Sequence, residues 1–351
     1  MLRSVRLQDF RNYERLVLEL RPGINVVIGG NGRGKTNLLE ALFLLLQGRS
    51  MRGSDAGEMV KRGREAVVVE GVIDLGREVK VRVSVASDGS LRGKGTREGM
   101  GAVCFQPDDI WMLKGGPEAR RKSLDEVVAG LKRGYRETLK DYQRVLRQRN
   151  EAIRMVGKRG AEREYMRSWN PLLCELGCAV AAERIKVLSK LGEELARLGE
   201  EWGKGKIVAR YYTTMGDDVT DAEKVMLKVR KMEEAEVGRG VTLIGPHRDE
   251  LLFLLEGRNL RRECSQGEQK LAAIMWRLAQ GRLLEKEAGR KVLLLMDDAL
   301  SELDRENRRL LVGELGRWEQ AVATTTDELA ELSGLNAIRL DEEVVGKGSR
   351  R

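Results

Sequence analysis

Aromatic side chains are scarce: Phe, Tyr and Trp make up 4% of the 351 residues. A platform that stacks successive single-strand bases needs successive aromatic side chains, so the composition argues against that mode of nucleic-acid binding. Cysteine and histidine are scarcer, with 4 Cys and 1 His. Cys104, Cys174, Cys178 and Cys264 form no Cys-x-x-Cys pair, and no histidine stands near Cys174 and Cys178, so a zinc site is not expected. Free thiols fit a reducing cytosol and hence a cytoplasmic protein. The most apolar run, residues 38–46, is short and contains Glu40, so no membrane span is expected. The opening residues do not read as a signal peptide, and no internal repeat is visible.

What is abundant is charge, at 34% of residues, with a formal net charge of +9. Its distribution is uneven. Residues 114–159 hold 14 Lys/Arg against 6 Asp/Glu, whereas residues 160–351 are net negative. A basic excess concentrated in one stretch favours a polyanionic partner, most often nucleic acid, over an evenly solvated surface.

Alternation of apolar and polar residues reads as strands over 2–9, 16–20, 67–75 and 79–85, and short apolar runs read as buried strands over 24–28, 102–105, 292–296 and 321–325. Further strands are expected at 208–212, 240–244 and 251–255. Helical patterns cover 36–47, 120–156, 163–202 (with a break near Pro171 and Gly177), 221–235, 267–286 and 305–318, and the end at 346–351 looks frayed. The order of elements implies an α/β core, a mixed sheet with helices packed on it, assembled from two chain segments around a mainly helical insertion. The expected divisions are 1–113, 114–239 and 240–351.

Within this order, Gly29-Gly30-Asn31-Gly32-Arg33-Gly34-Lys35-Thr36 satisfies the phosphate-loop pattern between a buried strand and a helix, with Asn37 following. Glycines let the backbone curl around phosphate oxygens, the helix start is positive, Lys35 supplies a cation and Thr36 a hydroxyl for Mg2+. The apolar strand 291–296 ends in Asp297 and Asp298, one acid suited to Mg2+ and the other to the attacking water. Ser265-Gln266-Gly267-Glu268-Gln269 opens the preceding helix, 32 residues before Asp297, and Ser301-Glu302-Leu303-Asp304 follows it. This is the layout of the signature, Walker B and D-loop of ABC-type ATPases. Gln106 is placed like the glutamine that couples Mg2+ to the two lobes of such a core.

With these motifs, the stretches Phe10-Arg11-Asn12-Tyr13, 107–125, 142–150, Gly245-Pro246-His247-Arg248-Asp249 and Ala323-Thr324-Thr325-Thr326-Asp327 run from end to end in one order. The whole pattern resembles the RecF family of bacterial DNA replication and repair proteins, relatives of the SMC group of ABC-type ATPases. The resemblance implies ATP sandwiched in a homodimer, with Ser265 completing the partner's site, and hydrolysis releasing the dimer. It also implies duplex DNA near single-strand gaps as ligand, a RecR-like partner and support of RecA loading. Three positions depart from wider ABC patterns: Arg33 fills a loop slot usually small or uncharged, Asp298 stands for the usual Glu and suggests slow hydrolysis, and Thr326 stands for a switch histidine. The 262 residues from Lys35 to Asp297 leave room for one inserted domain and none for long coiled-coil arms.

The candidate DNA contacts are Arg133, Arg136, Lys140, Arg144, Arg147 and Lys158, which helical spacing can align in groups one turn apart. Arg120 and Arg121 either touch DNA or pin the start of the insertion. For His247-Arg248-Asp249, a structural ion pair is favoured over ligand contact. A transporter ATPase subunit would share the nucleotide motifs but not explain the basic insertion, and a small-molecule kinase has no use for the 265–269 motif.

Overall fold

The computed structural model describes residues 1–52, 56–93, 99–159, 162–326, 332 and 334–340, except for the side chains of residues 158 and 159. The expected frayed end at 346–351, Asp327 and the side chain of Lys158 therefore lie outside the described residues. Two compact units emerge, one formed by residues 1–109 with 266–351, the other by residues 110–265.

The first unit begins with β1 (Leu2–Phe10), β2 (Tyr13–Glu19), β3 (Gly23–Ile28) and α1 (Lys35–Gln47). It continues with β4 (Ala66–Asp74), β5 (Glu78–Ala86), β6 (Leu91–Arg92) and β7 (Met100–Phe105). The second holds α2 (Ile110–Lys114), α3 (Pro117–Leu131), α4 (Tyr135–Arg159), α5 (Arg163–Arg167), α6 (Asn170–Glu201), β8 (Ile207–Tyr212), α7 (Ala222–Lys231), α8 (Glu233–Arg239), β9 (Glu250–Leu255) and β10 (Arg258–Asn259). The chain then returns to the first unit with α9 (Gln266–Ala288), β11 (Lys291–Met296), α10 (Arg305–Leu315), β12 (Gln320–Thr325) and β13 (Asn336–Arg339).

The strand directions of the α/β core separate into two sheets. One is antiparallel, in the order β2-β1-β4-β5-β6, and the other is parallel, in the order β13-β3-β12-β11-β7. In β4 the residues Val67, Val69, Gly71 and Ile73 alternate inward. In β1 the period breaks, with Leu2 and Val5 both buried, because a register shift between Leu2 and Ser4 inserts one residue. The parallel strands β11 and β12 are buried along nearly their whole length, as strands covered on both faces should be. Helix α1 packs against strands of both sheets. Leu38, Leu39, Ala41, Leu42, Phe43, Leu44, Leu45 and Leu46 are all buried, as is Glu40, so α1 is covered on nearly every side, which suits a helix held between layers.

In the second unit, β8, β9 and β10 make a three-stranded antiparallel sheet. That pairing corrects the expected boundary at 239/240: Leu251–Leu255 was read as core, but β9 bonds to β8, so the division falls at 265/266. Residues 240–244 are not a strand either. Their backbone is satisfied by side chains: Thr242 N donates to Asn150 Oδ1 (2.8 Å), Leu243 N to Glu236 Oε1 (2.8 Å) and Gly245 N to Thr214 Oγ1 (3.0 Å). The stretch 221–235 is two helices, α7 and α8, meeting at Met232, and Asp221 caps the first through Glu223 N and Lys224 N. Helix α6 runs through the expected break. Pro171 lies in its first turn, where a missing N–H costs nothing, and Gly177 lets Pro246 and Tyr142 approach.

A buried polar network ties this unit together. Arg149, with 0% exposure, donates to Asn170 Oδ1 (2.8 Å), Thr242 Oγ1 (2.8 Å) and Glu236 Oε2 (2.6 Å). Arg184 pairs with Asp125 at 2.7 and 2.9 Å and donates to Pro246 O at 2.7 Å. Among the described residues no helix is long and apolar enough to cross a membrane.

Candidate functional site

Parallel register decides where the motifs meet. Ile28 of β3 pairs with Thr325 of β12, Ala323 of β12 with Met296 of β11, and Met296 with Phe105 of β7. The residues that follow, Gly29, Thr326, Asp297 and Gln106, therefore emerge at one edge of one sheet. The carboxyl ends of parallel strands are where α/β proteins place ligand sites.

The loop after β3 turns into α1 at Lys35. Gly30, Asn31 and Gly32 are exposed, while Gly29, Arg33, Gly34, Thr36 and Asn37 are half-buried. Gly32 and Gly34 have φ of +78° and +94°. A Cβ on Gly34 would also lie 2.5 Å from Asn12 Nδ2, so glycine is required there twice over. Lys35 is 6% exposed, and its ammonium bends back along the loop to Gly29 O (2.6 Å) and Gly30 O (3.3 Å). Gly29 N donates to Thr325 O at 3.3 Å, which joins the loop to β12. An anion at this helix start would meet both the positive end of α1 and the Lys35 ammonium.

Asp297 is 5% exposed, and its Oδ1 accepts from the Thr324 hydroxyl at 2.9 Å. That hydroxyl in turn accepts from Asp298 N at 2.9 Å, so one side chain fixes both acids. Asp298 has φ +48°, a left-handed conformation that aspartate tolerates better than most residues. Thr324 was not singled out from the sequence. The available signal is a pair of hydroxyls, Thr324 and Thr325, at the end of a strand that is buried throughout. A second residue pair was also missed: Arg277 holds Asp109 at 2.5 and 3.0 Å, and Asp109 Oδ2 accepts from Gln106 N at 2.9 Å, which fixes the turn bearing Gln106.

Ser265 immediately precedes α9, and Ser265, Gln266 and Gly267 are exposed, whereas Gln269 is buried. Ser301 is exposed, and Ser301 N bonds to Asp298 O at 3.2 Å. Asp304 is the N-cap of α10, accepting from Asn307 N at 2.8 Å. Lys270 pairs with Glu302, linking the first turns of α9 to the turn before α10.

The basic candidates lie in the second unit, on a different body from the phosphate loop. Tyr135, Tyr142, Val145, Arg149, Ala152 and Ile153 form the inward stripe of α4. Arg136, Lys140, Arg144 and Arg147 lie on its exposed side, and Arg133 is exposed in the turn before it. Arg144 pairs with Asp141 at 3.1 Å, an exposed contact of little energetic weight. Arg120 and Arg121 prove to be structural. Arg120 is buried, grips Glu250 at 2.6 and 2.8 Å and donates to Gly115 O, while Arg121 donates to Asp249 O at 2.7 Å.

The 245–249 motif is likewise built into the unit, but not by the expected Arg248–Asp249 pair: Arg248 donates to Thr242 O at 3.2 Å instead. His247 Nε2 lies 3.1 Å from Thr242 O, which can only accept, so Nε2 carries the proton and Nδ1 accepts from Tyr142 OH at 2.6 Å. Burial lowers the His247 pKa to about 4, so the imidazole stays neutral near pH 7. Asp249 accepts from Tyr211 OH and from Thr214 N, and burial raises its pKa.

The Thr324 bridge makes a direct expectation. Thr324→Val keeps the side-chain shape but removes the donor to Asp297 and the acceptor of Asp298 N, at a cost of about 2–4 kcal/mol. Thr324→Ser should stay near the parent. Urea unfolding of the three proteins checks this, and equal midpoints would show that the hydroxyl does not hold the two acids.

Comparison with known proteins gives one consistent result. The family model described as RecF/RecN/SMC N terminal domain matches residues 1–92. The DNA replication and repair protein RecF of Acidothermus cellulolyticus is 33% identical over 353 residues, covering 94% of this chain and 95% of that protein. A structure described as the recombination mediator protein RecF-ATPrS in the RecFOR pathway superposes with a TM-score of 0.85 at 28% identity, over 97% of this chain and 95% of that one. A second, described as RecF-ATP in the same pathway, gives 0.83 at 29% identity over 94% and 92%. The chain belongs to the RecF family of DNA replication and repair proteins.

Proposed function

We propose that this protein is an ATPase whose ATP-bound form is a homodimer that holds duplex DNA near single-strand gaps. The observation that carries the reading is the convergence of the 29–36 loop, Asp297, Asp298 and Gln106 on one sheet edge. The likeness to a structure described as RecF-ATP supports ATP as the nucleotide.

In this reading the loop of Gly29, Gly30, Asn31, Gly32, Arg33 and Gly34, together with the Lys35 ammonium, holds the triphosphate, with Asn37 beside it. Asp297 is a buried carboxylate with no ion pair among the described residues, a setting that favours a bound cation. The Thr36 hydroxyl, Asp297 carboxylate and Gln106 amide are hard oxygen donors of the kind Mg2+ takes. Bound there, the ion would offset phosphate charge. Asp298 orients the attacking water, and its short side chain fits slow turnover. Ser265, Gln266, Gly267, Glu268 and Gln269 of a second copy close the nucleotide from the other side, with Ser301 and Asp304 at the same junction. The exposed start of α9 supports a role outside its own subunit. The dimer would hold duplex through Arg133, Arg136, Lys140, Arg144, Arg147 and Lys158, with a RecR-like protein as partner and RecA loading as outcome. Release follows hydrolysis.

A shared site has a specific signature. Lys35→Ala should not bind ATP, and Ser265→Arg should bind it without dimerising. A mixed dimer has one site with both defects and one with neither, so mixing the two inactive proteins should restore part of the hydrolysis rate. A mixture as inactive as its components would rule out the in-trans arrangement.

The DNA face is tested separately. Replacing Lys140, Arg144 and Arg147 together with Glu should weaken duplex binding at least tenfold and flatten its salt dependence, because fewer counterions are released. ATP binding should stay at the parental level. Fluorescence anisotropy with labelled duplex reads both quantities, and an unchanged salt slope would remove α4 from the DNA contact.

A further inference from the structure

The turn between β1 and β2 is built against its own backbone preference. Phe10 pairs with Tyr13, which leaves Arg11 and Asn12 as a two-residue hairpin turn. Arg11 has φ +47°, a region where the first residue of a two-residue turn ordinarily is glycine. Non-glycine residues held there persist only where surrounding contacts over-determine them, and they concentrate at functional sites.

The side chains of the turn lead to the first two turns of α1. The Arg11 guanidinium meets Glu40 through Nε (2.5 Å) and a terminal nitrogen (3.1 Å). Glu40 lies in the second turn of α1 with 0% exposure, and its carboxylate also receives Ser50 Oγ at 2.8 Å. A buried carboxylate of this kind requires a cation close by. Asn12 Oδ1 accepts from Asn37 Nδ2 at 2.7 Å, while Asn37 Oδ1 accepts from Arg52 at 2.9 Å, so the Asn37 amide is held at both ends. Tyr13 OH donates to Gly34 O at 3.1 Å. Burial raises the Tyr13 pKa, so the hydroxyl remains a donor at every working pH. The turn itself is anchored from behind by Arg11 N to Met59 O (2.8 Å) and Lys61 N to Asp9 O (2.8 Å).

We propose that Arg11, Asn12 and Tyr13 are positioning residues for nucleotide binding: they clamp the Gly34 carbonyl, Asn37 and Glu40, and so hold the phosphate loop in its binding conformation before ATP arrives. The inference rests on the ATP reading given above. Its physical content is preorganisation. The loop has three exposed residues and two left-handed glycines, and a flexible loop must lose conformational freedom on binding. Fixing the point where it enters α1 removes part of that loss in advance. Gly34 accepts from a side chain of the turn, and Asn12 fills the space beside it.

Tyr13→Phe removes only the hydroxyl and leaves the ring in the core. It should weaken binding of a fluorescent ATP analogue at least fivefold and raise KM for ATP by a similar factor. Its kcat and its thermal midpoint without nucleotide should stay near the parent. Arg11→Gly relieves the turn's backbone but leaves the buried Glu40 carboxylate with the more distant Arg52, at 3.7 Å, as its cation. It should raise KM further, and Arg11→Lys, which returns a cation, should recover part of the loss. A role confined to folding would instead lower the thermal midpoint while leaving KM untouched. Lys35→Ala separates the two hypotheses. If the parent binds the analogue and Lys35→Ala does not, the ATP reading stands, and parental KM in both Tyr13→Phe and Arg11→Gly then overturns the clamp alone. If the parent itself binds no analogue, the ATP reading fails and the clamp with it.

Discussion

The parallel pairing of β3, β12, β11 and β7 is the constraint on which the site depends. These strands come from sequence positions as distant as Gly23 and Thr325, yet their register aligns their carboxyl ends to within a residue or two. Each strand end delivers one component: a glycine loop and lysine, a threonine hydroxyl, two acids, and a glutamine turn. A slip of one residue in any pair would turn buried apolar side chains to the wrong face, so the same packing that buries the sheet also fixes the site. Helix α1 adds a second condition. It is buried on nearly every side and packs on strands of both sheets, so the loop before it cannot shift without disturbing the core.

The second unit is held in a different manner. Its core contains charges as well as aliphatic groups: Arg149 with Glu236 and Arg184 with Asp125. Pairs of this kind contribute little net stability, because desolvation offsets attraction, but leaving either partner alone costs about 3–5 kcal/mol. Their effect is to admit one arrangement of α3, α4, α6 and the 240–250 segment and to penalise others. The basic residues on the outer side of α4 are free of that duty. Arg136, Lys140 and Arg147 are exposed, while Arg149, two residues beyond Arg147, is fully buried.

That contrast marks the limit of what the sequence discloses. The phosphate loop, the paired acids and the order of the core strands were legible because each is a local pattern with a mechanism attached. The helical stripe of α4 was legible as periodicity, but spacing alone could not tell Arg149 from Arg147. Arg120 and Arg121 stayed ambiguous for the same reason, since their acceptors, Glu250 and Asp249 O, lie about 130 residues away. Residues 240–244 read as a strand from their apolar texture, and nothing local shows that Asn150, Glu236 and Thr214 take the place of a neighbouring strand. Thr324 was legible only as one residue of the 323–327 stretch, because its bridge to Asp297 and Asp298 depends on register across β11 and β12. The domain boundary moved for a topological reason: β9 has the composition of a core strand, and only its pairing with β8 assigns it to the second unit.

The central claim, that two copies share nucleotide and together hold duplex, is tested most directly by sedimentation velocity of the unaltered protein with a labelled duplex. Without nucleotide, the 39.4 kDa chain should sediment as a monomer and carry little DNA at moderate salt. With ATP it should shift to a species of twice that mass that co-sediments with duplex, and the species should decay as ATP is consumed. A protein that remains monomeric with ATP while binding duplex equally well in both states would contradict the shared site and the coupling of nucleotide to DNA.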